Sequence, residues 1–233
     1  MKRVNKLVTG IFLLGQTLSG AAFAASMTLP GVTIDFTFDD AMLGLFGQAS
    51  VSGNTLYFTP TGFQAKSLNS AGYALTNDTI NVKVSAHAGW GLTGVELTEK
   101  GDYLLLGAGS TADVAGQMRV FDLGHPLADV VTGIQPTMPL NIMSAPTHNW
   151  LAETSTDLSA WGHTQSINVT IENLLLSSTS AASSLAFVEK KFVGLTPILT
   201  TITPVPEADT YAMMLAGLGL VGWSAARRRT ITM

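Results

Sequence analysis

The chain contains no cysteine. That excludes disulfides, thiolate metal sites and a cysteine nucleophile. Charge is scarce too: Lys, Arg, Asp and Glu together make up 12% of the 233 residues. Between Ala25 and Pro204 the only cations are Lys66, Lys83, Lys100, Arg119, Lys190 and Lys191, set against 14 acidic residues. This acidic body lacks the clustered Lys and Arg that neutralise phosphates, which argues against nucleic acid as a partner. The body has no long amphipathic helical pattern, and H-E-x-x-H, G-x-S-x-G and G-x-x-x-x-G-K-[ST] are all missing. The four histidines, His87, His125, His148 and His163, include no i, i+4 pair, so no metal site and no cofactor is expected.

The two ends carry what the body lacks. Lys2, Arg3 and Lys6 precede an apolar stretch from Leu7 to Leu18, and Ala22-Phe23-Ala24 fits the A-x-A cleavage pattern. Residues 1–24 therefore read as a secretory signal peptide cut after Ala24. At the far end, Tyr211–Ala226 is apolar or small throughout and runs into Arg227, Arg228 and Arg229. Such a segment makes a helix of roughly 24 Å, a little short of the ~30 Å hydrocarbon core. Tyr211 and Trp223 suit the two interfaces, and the arginines suit the cytoplasmic side. The expectation is a C-terminal transmembrane helix within residues 211–233. Gly217, Gly219 and Gly222 spell G-x-G-x-x-G. No strand precedes them and no acidic residue follows, so they read as a small-residue helix face and not as a dinucleotide loop.

Val205-Pro206-Glu207-Ala208-Asp209-Thr210-Tyr211-Ala212, with the apolar helix and the arginines behind it, resembles the PEP-CTERM sorting signal. That signal has Pro-Glu-Pro, a short polar gap, a glycine-bearing apolar helix and a terminal arginine cluster. Ala208 stands where the family has its second proline. The resemblance implies a sorting role for Pro206, Glu207, Arg227, Arg228 and Arg229. It also implies an exopolysaccharide-producing Gram-negative host and recognition by an exosortase, a membrane protease-transpeptidase. The implied path is an inner-membrane-anchored precursor that ends at the cell surface or in the extracellular matrix. Met42–Ala65 and Gly101-Asp102-Tyr103 are similar to the bodies of some uncharacterised exported PEP-CTERM proteins, a likeness that names no activity.

The body is rich in Thr and Ser and alternates strictly. Val32, Ile34, Phe36 and Phe38 share one face, as do Ile80, Val82, Val84 and Ala86, then Val114, Gly116, Met118 and Val120, and Ile167, Val169 and Ile171. Thr55–Thr59, Phe63–Ser67, Leu92–Thr98, Tyr103–Leu106 and Ser184–Val193 are further strand candidates. Turns are expected at Ser52-Gly53-Asn54, Asn77-Asp78 and Lys100-Gly101-Asp102, with a helical turn at Asp40–Phe46. About nine short strands predict an all-β, antiparallel two-sheet sandwich over residues 25–193. Pro197, Pro204 and Pro206 make residues 194–210 an extended tether.

Chemistry is sparse. Thr132–Gln165, interrupted by prolines, reads as a long excursion carrying Trp150 and Trp161. Aromatic faces stack on sugar C–H faces, so these two are the candidate glycan contacts, with burial as the alternative. His148 and His163 lie in the same excursion. Asp39-Asp40 and Glu96/Glu99 are the close carboxylate pairs; they suit capping or solvation, calcium, or the paired acids of a glycosidase. The expectation is a non-enzymatic surface or matrix protein associated with exopolysaccharide. The alternative is a secreted polysaccharide-active hydrolase on the same sandwich, using acids such as Asp39 or Glu96.

Overall fold

Strands that alternate apolar and polar residues must bury one face, and two such sheets bury theirs against each other. The computed structural model has this arrangement; it describes residues 26–125, 127–162, 164–202 and 208–229. One six-stranded sheet runs, in spatial order, β1 (Ser26–Pro30), β2 (Ile34–Asp39), β6 (Gly72–Ala86), β11 (Ser166–Thr179), β8 (Ser110–Asp122) and β9 (Asp129–Ile134). The other runs β10 (His148–Asp157), β7 (Trp90–Leu106), β12 (Leu185–Thr201), β4 (Thr55–Thr59) and β3 (Gln48–Ser52), with β5 (Gln64–Leu68) also paired to β12. All the pairings are antiparallel. Ile34, Phe36, Val82, Val84, Val169 and Ile171 all lie inside with no exposed surface. Cross-strand rows such as Phe36–Val84–Ile167 and Val82–Val169–Val120 form the inner face of the first sheet.

Twelve strands form among the described residues where about nine were expected, and several run longer. No turn forms at Lys100-Gly101-Asp102: β7 continues through it as one 17-residue strand. Ladders on both sides hold it extended, Gly101 facing Trp150 on β10 and Lys190 on β12. Nor does the chain turn at Asn77-Asp78, which lies inside the 15-residue β6. There the Asp78 carboxylate accepts from the Leu45 backbone N–H. This anchors the two 3-10 turns, Asp40–Met42 and Gly44–Phe46, that form where a helical turn was expected. Val32 is exposed, outside β2 and not on its inner face. β12 runs past Val193 to Thr201, so the first part of the expected tether is a core-sheet strand.

A β-bulge interrupts β12: the register with β7 shifts between Lys190 and Phe192. Before it Ala186, Val188 and Lys190 point inward; after it Val193 and Leu195 do. The extra residue, Lys191, is turned to solvent.

At the C-terminus, α1 (Ala208–Arg229) is a 22-residue helix. Among the described residues no helix is long and apolar enough to cross a membrane, which corrects the expected transmembrane helix. Gly217, Gly219 and Gly222 contribute little hydropathy, while Asp209 and the arginines bound the apolar run. Ala22, Ala24, Pro206 and Glu207 lie outside the described residues, and Arg227, Arg228 and Arg229 close α1.

Candidate functional site

The β12 bulge builds the outer face of the second sheet. Lys191, swung outward, pairs with Asp102 and lies 3.7 Å from Glu189. The hydrogen bond it donates to Asp102 raises the Lys191 ammonium above its usual pKa. The next residue, Phe192, packs its ring 5.6 Å from that of Tyr57, tilted by 46°. Lys100 Nζ lies 5.5 Å from the Phe192 centroid. Gly194, facing Tyr57, leaves room for this: a Cβ there would come within 3.0 Å of the Phe192 ring. Both rings are half-buried, so each keeps an accessible surface.

A cavity of about 600 Å³ adjoins this face through Lys100 and Lys191, with Tyr103, Met138, Ile142 and Trp150 among its walls. The segment after β9 forms one side. It is held by the Thr137 N–H to the Leu151 carbonyl at 2.8 Å and the Ile142 N–H to the Tyr103 hydroxyl at 3.3 Å. Apolar walls with a few fixed polar groups suit a neutral, amphipathic ligand such as a sugar: rings take C–H faces, and lysine, carboxylate and amide groups take hydroxyls.

The two tryptophans singled out by sequence do not form this surface together. Trp150 is buried at 5% exposure, with its indole N–H donating to the Glu189 carbonyl at 3.0 Å. It forms part of the cavity wall and is no open stacking platform. Trp161 sits on the 3-10 turn Ser159–Trp161, half-buried against the core, beside a shallow hollow with Asp122, His125 and Thr164. His148 Nε2 donates to the Ser144 carbonyl at 3.0 Å, and His163 lies outside the described residues. Among the described residues no three His, Asp or Glu side chains gather as metal ligands.

The carboxylates divide by strand parity. Asp39 Oδ1 accepts the Ala41 N–H at 3.0 Å and caps the first 3-10 turn. Glu96 and Glu99 are three apart on β7 and so point to opposite faces; Glu96 is exposed and Glu99 is not. Glu96 has a different neighbour. Glu153 on β10 faces Thr98 while Ser155 faces Glu96, so the two glutamates are diagonal neighbours along an open groove of about 530 Å³.

Sequence reasoning missed a charged cluster between the sheets. Lys190 (β12), Glu99 (β7) and Asn173 (β11) have no exposed surface. Lys190 Nζ donates to Glu99 Oε2 and to Asn173 Oδ1, and lies 5.5 Å from the Phe63 ring and 5.7 Å from the Trp150 ring. Glu99 Oε1 and Asn173 Nδ2 have no hydrogen-bond partner. Burial pushes the Lys190 ammonium below its usual pKa of 10.5, against the opposing pull of Glu99. The inward register with Ala186 and Val188 is the sequence signal that places Lys190 inside.

The chain matches the PEP-CTERM protein-sorting motif over residues 204–229. No curated protein matches it. Among solved structures, the body is similar to the infectious bursal disease virus Gx strain structure, with 10% identity and a TM-score of 0.31 over 84% of this chain and 54% of that one. It is similar to the enzymatically active domain of bacteriophage CBA120 tailspike protein 4, with 9% identity and a TM-score of 0.25 over 75% of this chain and 19% of that one. It is also similar to TmCBM61 in complex with beta-1,4-galactotriose, with 10% identity and a TM-score of 0.20 over 60% of this chain and 90% of that one. The chain thus spans about half the length of the first of these and a fifth of the second. These are distant likenesses, and none bears on what the chain binds.

Proposed function

We propose that this chain, exported and sorted through its PEP-CTERM motif, is a non-enzymatic surface or matrix protein that holds exopolysaccharide. The motif over residues 204–229 carries this reading. It implies processing by an exosortase and a membrane-anchored precursor that reaches the surface. The contact with polysaccharide is assigned to the outer face of the second sheet, at Tyr57, Phe192 and Lys100, with the adjoining cavity taking a branch or chain end. An acidic body suits a neutral or cationic glycan better than an anionic one. The test is binding of the processed protein to the host's own exopolysaccharide by calorimetry or affinity electrophoresis. A Tyr57→Ala/Phe192→Ala double variant is expected to bind about tenfold more weakly, since stacked rings contribute roughly 0.5–1.5 kcal/mol each. Full binding by the double variant, or none by the wild type, overturns the reading.

One observation favours a second reading, a polysaccharide-active hydrolase: Glu96 and Glu153 lie diagonally on one groove. Release of reducing ends from the same polysaccharide, lost in both Glu96→Gln and Glu153→Gln, would replace the first reading with this one.

A further inference from the structure

Lys190 is a buried cation in a body whose other cations, Lys66, Lys83, Lys100, Arg119 and Lys191, are all exposed. A buried ion pair with unmet hydrogen-bonding groups is weaker than a well-packed apolar core of the same volume. Stability alone therefore does not account for Lys190, Glu99 and Asn173 standing together between the sheets. Their atoms are arranged as reactants. The Lys190 amine contacts the Asn173 side-chain carbonyl oxygen, one bond from the electrophilic carbon Cγ. Glu99 Oε2 accepts from the same nitrogen. Asn173 Nδ2, the group that would leave, has no hydrogen bond to retain it. Phe63, Trp150 and the two sheets keep water, the competing nucleophile, away.

We propose that Lys190 and Asn173 join in an intramolecular isopeptide bond, with Glu99 relaying the proton. The Lys190 ammonium gives a proton to Glu99, and the neutral amine attacks Asn173 Cγ, forming the Nζ–Cγ bond. Glu99 carries a proton from Nζ to Nδ2 as the intermediate collapses. The Cγ–Nδ2 bond breaks and ammonia leaves, with Glu99 ending neutral. No oxidant or cofactor is required, and atoms and charge balance.

Three features of the protein favour the step. Desolvation lowers the pKa of Lys190, which raises the fraction of nucleophilic amine. The folded sandwich fixes amine and amide in contact, so the reaction is effectively unimolecular and follows folding. The product also replaces a buried ion pair with two neutral groups. β12 is then stapled to β11, tying the second sheet to the first in a chain that has no cysteine to do so.

The natural chain has no tryptic site between Arg119 and Lys190, so both residues fall in one peptide. Trypsin digestion of the folded, purified full-length protein is expected to leave Lys190 uncut. It should yield Val120–Lys191 lighter than its sequence mass by one ammonia, with fragmentation placing the link at Asn173 and Lys190. Glu99→Gln, which keeps the shape, should be cut after Lys190 and give Val120–Lys190 at full mass; Lys190→Met should give an intact chain with no ammonia lost. The wild-type digest decides the matter whichever variants fold: Val120–Lys190 at full mass from folded wild type overturns the proposal.

Discussion

The Trp150 indole lies on Gly101, its cross-strand partner, and donates from Nε1 to the Glu189 carbonyl one strand further on. A Cβ on Gly101 would stand 1.8 Å from that carbonyl oxygen and 2.7 Å from the indole. Gly101→Ala must displace backbone, and the cost should reach about 3 kcal/mol. Urea denaturation would read this as a lowered midpoint with the slope kept. An unchanged midpoint would remove the packing argument for this glycine.

Val84 is fully buried on β6 between Phe36 and Ile167. Val84→Asp would leave a charge without a partner there, costing roughly 3 kcal/mol or more. Leu75 lies on the same strand at 56% exposure; Leu75→Asp should stay within about 0.5 kcal/mol of wild type. Equal effects on chemical denaturation would contradict the assigned faces of β6.

Asp122 supplies a pH dependence. Burial raises its carboxyl pKa, but the His125 ring, the Gly124 N–H and the Thr164 hydroxyl together outweigh that and hold it below 3.8. The folded carboxyl therefore binds a proton less readily than the unfolded one. Its contribution is complete above about 3.8 and is lost as pH falls through the lowered folded value. Asp122→Asn should remove this component, leaving a shallower acid limb in a plot of unfolding free energy against pH. A limb of unaltered slope would mean that other carboxylates account for it.

The tail should be cut near Pro206–Asp209, losing α1 and the arginines, with a mature N-terminus at Ala25. Pro204 and Pro206 precede α1 in the sequence, a composition that suits a protease site. Ala208 in place of proline loosens the backbone there and should slow the cut relative to an Ala208→Pro variant. Mass spectrometry of the released protein is the measurement. A released species that retains Trp223 and the arginines would refute processing, and deletion of Arg227–Arg229 should block export.

Local pattern determined a good deal. Alternation marks the faces of β2, β6, β8 and β11 because side chains on a strand alternate whatever surrounds it. The sorting motif is equally local, a run of residue types within 26 positions. The same parity separates Glu96 from Glu99. Other features depend on partners distant in the chain. Gly101 and Asn77-Asp78 have turn chemistry, yet ladders with β10, β12 and β11 keep them extended. Trp150 is inside because a glycine faces it, a fact set by register across 49 positions of sequence. Alternation with Ala186 and Val188 marks Lys190 as inward, but its meeting with Glu99 and Asn173 needs two sheets stacked face to face. Neither has a signature within any one strand, because each is a relation between strands that only packing brings into contact.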